Sequence, residues 1–385
     1  MTDRDWMDAG TACAVLGVRR QTLYAYVSRG LLRACRDHAD PRRSLYARAD
    51  VEALAARHRR PRARADVAAG AIRWGDPVLD TSVAEVRDGM LWFGRRRAVE
   101  LADWMTLEQI AALHWRMSAI TPGYGRGQDG PDGKTPLARG LADLAGRAAR
   151  AAPMQGRPRA ELAGEGAQLL FGLTRALLGR DLESGVPIHG QLARHWAVDP
   201  SGEDTIRRAL VLLSDHDLNP STFAVRICAS TGASLPAAIL AGLATLSGPR
   251  HGGVALKARE ALRTGADPDA MEAFLASHRE LTPYGFGFGH PHYPEGDVRA
   301  TALFEAMGEG CPAVQQARAL SQRLGMAPNI DAALAAMAEA YALPEAAAFT
   351  LFAVARTVGW TAHAIEQIES GQIIRPRARF VSVAT

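Results

Sequence analysis

Lysine is almost missing from this chain of 385 residues: apart from Lys134 and Lys257, every one of its 45 basic side chains is an arginine. A GC-rich coding sequence accounts for most of that bias, although arginine also pairs with carboxylate and phosphate better than lysine does. Aromatic residues are scarce at 6%, while alanine and leucine dominate an apolar fraction of 48%, which favours packed helices over a β-sandwich. An all-α body is expected. The cysteines at 13, 35, 228 and 311 lie far apart, with no CxxC and no Cys/His pair at zinc spacing, so neither a disulfide framework nor a metal site is indicated. No uncharged apolar run is long enough to cross a bilayer, and the first thirty residues lack the order of a secretory signal. A soluble cytoplasmic protein of two or three domains, without a membrane partner, is the expectation.

The formal charge of +4 is unevenly placed: residues 1–66 hold fourteen arginines against eight acidic residues, and the remainder is close to balance. Asp8 to Gly17 reads as a short helix stopped by glycine, and Val18 to Val27 restarts helical spacing after a tight turn. Leu23, Val27 and Leu31 are expected to face inward, which leaves Arg19, Arg20, Gln21, Thr22 and Tyr24 on the leading turn of the second helix. The stretch from Arg33 to Arg48, with Arg42, Arg43 and Tyr46, suggests a wing. With Tyr24-Ala-Tyr-Val-Ser-Arg-Gly-Leu-Leu and Tyr46-Ala-Arg-Ala-Asp-Val-Glu-Ala-Leu, residues 1–66 resemble the MerR/excisionase winged helix-turn-helix. That resemblance implies DNA contacts from Arg19, Arg20, Thr22 and Tyr24. The alternative is a helical cap whose arginines are merely solvated.

Beyond the arginine-rich joint at 57–64 a larger body begins. Ser82 to Phe93 alternates as a hairpin, Thr106 caps a helix over 105–115, and 121–136 is a loop rich in Gly, Asp and Pro. Helices are expected at 137–152, 159–179, 188–195, 204–216, 221–231, 235–247, 252–264, 268–280, 298–307, 312–324, 330–341 and 345–369. Pro268 and Pro344 read as first-turn prolines.

Four stretches gather most of the His and Arg set in Gly-rich, apolar surroundings. They are Ser214-Asp-His-Asp-Leu-Asn-Pro-Ser-Thr-Phe223; Ser247-Gly-Pro-Arg-His-Gly-Gly253; Tyr284-Gly-Phe-Gly-Phe-Gly-His-Pro-His-Tyr293 with Asp297-Val-Arg-Ala-Thr301; and Pro328-Asn-Ile-Asp-Ala332 with Ala355-Arg-Thr-Val-Gly-Trp-Thr-Ala-His363 and Ile374-Arg-Pro-Arg-Ala-Arg-Phe380. GFGFGH is not a dinucleotide fingerprint, since no strand precedes it and no βαβ unit surrounds it. In order, spacing and local sequence these motifs resemble the citrate synthase family over roughly residues 70–385.

The resemblance implies a helical fold with a large domain at 67–251 and 346–385 and a small domain at 252–345. It implies condensation of acetyl-CoA with oxaloacetate, or of propionyl-CoA in a 2-methylcitrate synthase, with the CoA thioester as substrate and no cofactor. Such chemistry needs a carboxylate to take a proton beside the thioester, donors for the enol oxygen and the keto carbonyl, and cations for a dianion. Position by position, Asp331 matches the base, His251 the donor to the thioester carbonyl and His290 the residue that polarises the ketone. His216, Arg299 and Arg356 match oxaloacetate ligands, the arginines by bidentate pairing, and Arg375 matches one supplied by the neighbouring subunit of a homodimer. A third alternative is a transcription regulator whose synthase-like body senses CoA esters or oxaloacetate.

Two departures from the family pattern bear on function. Pro291-His-Tyr-Pro294 follows GFGH where the family carries basic residues that approach the CoA phosphates. Pro220 follows Asn219 where a small residue is usual, a position harmless at the first turn of a helix.

Overall fold

The computed structural model describes residues 6–18, 20–28, 31–36, 43–58, 79–120, 135–264, 267–278, 283–378 and 380. The chain divides into two compact units, 1–80 and 81–385. No described helix is long and apolar enough to cross a membrane.

The first unit runs β1 (Trp6–Asp8), α1 (Ala9–Leu16), α2 (Arg20–Ser28), β2 (Ala34–Arg36), β3 (Ser44–Ala47) and α3 (Arg48–His58). Asp8 caps α1 by accepting the N–H groups of Gly10 and Thr11 at 2.7 and 3.0 Å, and Gly17 ends it in the left-handed conformation, φ 66°. The strands form an antiparallel sheet in the order β1-β3-β2, so the expected wing is a ribbon whose tip, Arg42 included, lies outside the described residues. Tyr46 belongs to the core of this unit with Leu23 and Leu32, whereas Leu31 is 45% exposed. Extrapolating the helical spacing to Leu31 fails because α2 ends at Ser28 and the chain turns, which hands the inward position to Leu32.

The second unit opens with the antiparallel sheet β4 (Ala84–Arg87), β5 (Met90–Phe93) and β6 (Arg96–Arg97). Helices follow: α4 (Ala98–Ala102), α5 (Leu107–Trp115), α6 (Pro136–Ala148), α7 (Arg159–Leu178), α8 (Ile188–His195), α9 (Pro200–Leu213), α10 (Pro220–Ser230) and α11 (Leu235–Leu246). Then come α12 (Val254–Thr264), α13 (Pro268–Ser277), a 3-10 turn at Pro283–Phe286, α14 (Val298–Met307), α15 (Pro312–Leu324), α16 (Ile330–Ala340) and α17 (Ala347–Ser370). The starts are written in the sequence: Thr106 forms a capping box with Gln109, and Asp199, Asn219 and Asp267 each cap a helix whose first residue is proline. Pro344 does not open α17 as its sequence suggested. It lies in a preceding turn, accepting the N–H of Ala347 at 3.0 Å, and that turn lets Leu343 reach the core.

Helix α17 is buried on every side, enclosed by α5, α7, α9, α10 and α11, and carries Arg356 and His363 among its otherwise largely apolar residues. A second group, α12, α14 and α15, packs around α16. Asp331 and Arg299 lie in the first turns of helices of the second group and His216 and His251 in turns between helices, whereas Arg356 lies in the interior of α17.

Two glycines test the packing with opposite signs. A Cβ on Gly242 of α11 would stand 2.7 Å from Val225 Cγ2 and 2.9 Å from the Trp360 ring, whereas one on Gly164 of α7 meets nothing within 4 Å. Gly242→Ala should therefore cost about 1–3 kcal/mol in denaturant unfolding despite the better helix propensity of alanine. Gly164→Ala should gain about 0.5–1 kcal/mol.

Candidate active site

The first motif is the turn between α9 and α10. Asp217 takes φ 50°, and Asn219 caps α10 by accepting the N–H of Thr222 at 3.1 Å, which accommodates Pro220 as expected. This turn holds His216 in the interior, 7% exposed, with Nε2 2.8 Å from Tyr293 Oη. The GPRHGG motif is the tight turn before α12. A Cβ on Gly252 would stand 2.5 Å from Leu246 O and one on Gly253 2.8 Å from Pro249 Cα, so only glycine lets the backbone close beside His251.

The GFGFGH and PNIDA segments brace one another. Gly289 N donates to Ala327 O at 2.7 Å, Asn329 N to Gly287 O at 2.9 Å, and Asn329 Nδ2 to Gly289 O at 3.0 Å. Asn329 also caps α16, its Oδ1 accepting the N–H of Asp331 at 2.9 Å. Asp331 and His290 are thereby carried on one rigid pair of segments. The His290 ring stands perpendicular to that of His216 with centroids 5.2 Å apart, and Tyr284 lies 5.2 Å from it on another side.

The two arginines are held differently. Arg299 is 2% exposed and its Nε and Nη2 are engaged by the two carboxylate oxygens of Asp297 at 3.0 and 2.8 Å. Asp297 Oδ2 also accepts the N–H of Ile330 at 2.9 Å, tying this pair to the start of α16. Arg356, on α17 and 1% exposed, donates from Nε to Leu213 O at 2.8 Å and lies 4.7 Å from the Phe352 ring centroid. Among the described residues neither Nη group of Arg356 has a hydrogen-bond partner. Phe352 also packs edge-on against His251, with centroids 5.8 Å apart.

Burial governs the titration of this cluster. Desolvation pushes Asp331 up to about 7 against the opposing pull of Arg299 and Arg356, with Asp297 adding to the rise. His290 is driven down to about 3 and His251 to about 4, burial being the larger cause and Arg299 or Arg356 the next. His216 also lies well below the usual imidazole range. All three rings are neutral near pH 7, and their hydrogen bonds then select tautomers. His290 Nδ1 accepts the N–H of His292 at 3.1 Å, which leaves its proton on Nε2. His251 Nε2 lies 2.9 Å from Ser221 Oγ, whose hydroxyl also reaches Asn219 Oδ1 at 2.7 Å. With that hydrogen on Asn219, His251 donates from Nε2; with it turned onto Nε2, the ring proton moves to Nδ1.

The structure thus brings His216, His290, Asp331, Arg299 and Arg356 into one electrostatic neighbourhood, with His251 beside Arg356. Arg375 is exposed on the extended segment after α17 and joins none of these contacts within the chain. In the first unit, Arg19 and the side chain of Arg20 lie outside the described residues, Thr22 is half-buried and Tyr24 is 54% exposed. Sequence reasoning quoted Ser221, His292, Tyr293 and Asp297 within its motifs but gave them no role; His292 pairs with Asp217 at 3.2 Å. Only Asp297 carried a local signal, two residues before Arg299. A separate cavity of about 330 Å³, lined in part by Phe93, Arg95, Arg96, His114 and Arg116, contains none of the candidate site residues.

The family model described as "Citrate synthase, C-terminal domain" matches residues 156–377. The chain belongs to the citrate synthase family. A second model, "Helix-turn-helix domain", matches residues 6–59. A citrate synthase of Haloferax volcanii is 34% identical over 188 residues, 46% of this chain and 50% of that protein. The 2-methylcitrate synthase 2 of Corynebacterium glutamicum is 29% identical over 194 residues, 48% of this chain and 51% of that protein. The chain therefore spans about half the length of the curated relatives it matches. The same fold is seen in citrate synthase of Thermoplasma acidophilum in ternary complex with carboxymethyl coenzyme A and oxaloacetate, at TM-score 0.64 and 23% identity over 80% of this chain and 95% of that one. The Thermotoga maritima citrate synthase superposes at TM-score 0.66 and 23% identity over 81% and 95%.

The raised carboxyl of Asp331 has a thermodynamic signature within this family fold. A folded-state value near 7 against an ordinary 3.8 means that the native state binds this proton more tightly than the unfolded chain. The associated stabilisation is complete below pH 4 and lost as pH rises through 7. Asp331→Asn should accordingly raise stability by about 1–3 kcal/mol at pH 8, with the gain vanishing near pH 4, as read from denaturant unfolding at the two pH values.

Proposed function

We propose that this chain condenses an acyl-CoA with oxaloacetate, releasing CoA and a citrate-type product. The observation that carries the reading is a partly buried carboxyl, Asp331, raised to about 7 among imidazoles that are all neutral and beside a buried guanidinium with unpartnered Nη groups. Imidazoles of pKa 3 to 4 are poor bases at neutral pH but serviceable donors, while a carboxylate near 7 is well matched to proton abstraction.

In this reading Asp331 takes the proton from the carbon beside the thioester. Once the Ser221 hydroxyl turns from Asn219 Oδ1 onto His251 Nε2, His251 presents Nδ1–H to the enol oxygen. His290 polarises the keto carbonyl from Nε2–H, and the carbon nucleophile attacks that carbonyl carbon. His216, the Nη groups of Arg356 and the remaining edge of Arg299 hold the keto acid. Water then cleaves the thioester and frees CoA. Closure of residues 252–345 as a small domain over 81–251 and 346–385 as a large one fits such a sequence, since it excludes bulk water before the bond forms. Arg375 supplied from a partner subunit would make the functional unit a homodimer.

Acetyl-CoA is the preferred assignment for the acyl donor. Propionyl-CoA differs by one methylene, worth about 1–3 kcal/mol of discrimination in an apolar pocket. The helix-turn-helix unit supports a second role in DNA binding, to which Tyr24 and Thr22 would contribute.

Purified protein should release free thiol from acetyl-CoA or propionyl-CoA only when oxaloacetate is present, and Asp331→Ala should abolish release. The rate at limiting substrate should rise with pH through about 7 as Asp331 ionises. No thiol release with either donor sinks the enzymatic reading. Ser221→Ala should lower kcat roughly 10- to 100-fold, because His251 loses the partner that places its proton on Nδ1. For the second role, binding to a palindromic duplex should weaken steeply with salt and on Tyr24→Ala.

A further inference from the structure

Helix α17 meets the chain ahead of His216 at three successive places. Arg356 Nε donates to Leu213 O at 2.8 Å, Gly359 N donates to Ser214 O at 3.1 Å, and His363 Nε2 lies 3.1 Å from Asp215 Oδ2. Positions 356, 359 and 363 fall on one face of the helix, and their partners are three consecutive residues, so the segment is registered against the helix residue by residue. The approach is close enough that a Cβ on Gly359 would stand 2.5 Å from both Ser214 O and Asp215 Oδ1. Asp215 and His363 are both fully buried.

Burying such a pair is costly to both partners, and a well-packed apolar pair at the same place would hold the helices together as well or better. What the polar pair adds is direction, since an imidazole N–H and a carboxylate oxygen fit in one register only. The next residue along the chain is His216, and two turns back along the helix from His363 is Arg356. We infer that Asp215 and His363 are a positioning pair that fixes His216 relative to Arg356, and through them the spacing of the groups that hold the keto acid. The inference rests on the proposed roles of His216 and Arg356, but its structural half is independent of turnover.

The test compares full-length wild type with Asp215→Ala, His363→Leu and the conservative forms Asp215→Asn and His363→Gln, which keep an acceptor and a donor. Oxaloacetate KM should rise at least roughly ten-fold in the alanine and leucine forms while acyl-CoA KM stays within about two-fold, and His363→Gln should recover most of the loss. In parallel, nitrogen-15 histidine spectra should show the His216 ring resonances displaced in His363→Leu, restored in His363→Gln, and those of His195 unmoved. Should the harsher variants fail to fold, Asp215→Asn decides, with an expected rise of about three-fold in oxaloacetate KM and a displaced His216 signal. An unchanged oxaloacetate KM with unchanged His216 resonances, or an equal rise in both KM values, overturns the inference. If wild type shows no turnover at all, the functional reading fails and the histidine spectra alone judge the positioning pair.

Discussion

The bidentate grip of Asp297 on Arg299 is the constraint from which the rest of the site follows. Both oxygens of Asp297 are spent on the guanidinium, and one of them also holds the first N–H of α16. Arg299 therefore enters the site with one edge already neutralised, and Asp331 sits near it without an ion pair of its own. Had that fork closed on Asp331 instead, the carboxyl would have been pulled below its ordinary value and would have been a weak base. With the fork committed elsewhere, burial outweighs the residual attraction of Arg299 and Arg356, and the carboxyl is raised to about 7. A structural carboxylate thus sets the working range of a chemical one.

The same balance divides labour among the imidazoles. Each loses more by burial than it could regain from nearby acids, so none carries charge at neutral pH. A neutral ring has one donor and one acceptor nitrogen, and its neighbours then decide which is which. For His290 the choice is made by the backbone N–H of residue 292, which only proline there would remove. For His251 it is made by a serine hydroxyl that can turn, so this ring alone among the two has a switchable donor. In the proposed reaction that freedom would suit a ring that donates as charge develops on an oxygen and later changes partner.

Much of this was legible in the sequence because helix ends are chemical events. The helix boundaries of α14 and α15 coincide with the expected 298–307 and 312–324, since Asp297 and Pro312 mark their first turns unmistakably. The same logic erred at Leu31 and Pro344, where the chain turned instead of continuing its period. The site motifs were legible as a set, each glycine and histidine standing where backbones approach closely. What could not be read were the partners across the fold: Ser221 to His251, His216 to Tyr293, Asp217 to His292. These lie 30, 77 and 75 residues apart, and no periodicity in one segment reports on another. Arg299 illustrates the difference: the sequence singled it out, but the prior claim of Asp297 on its fork lay outside what the motif states.

The segment after His290 shows how a local departure is absorbed. Proline at 291 and 294 removes the side chains that would have offered cations there, and removes two backbone donors as well. The segment instead turns inward: Tyr293 reaches His216 and lies under Arg299, and His292 reaches Asp217 while giving its N–H to His290. The segment thus braces the rings of His216 and His290. It therefore fixes the geometry around His216 and His290 more firmly than the motif GFGH alone requires, and in the proposed reaction recognition of the CoA moiety would fall to other parts of the chain.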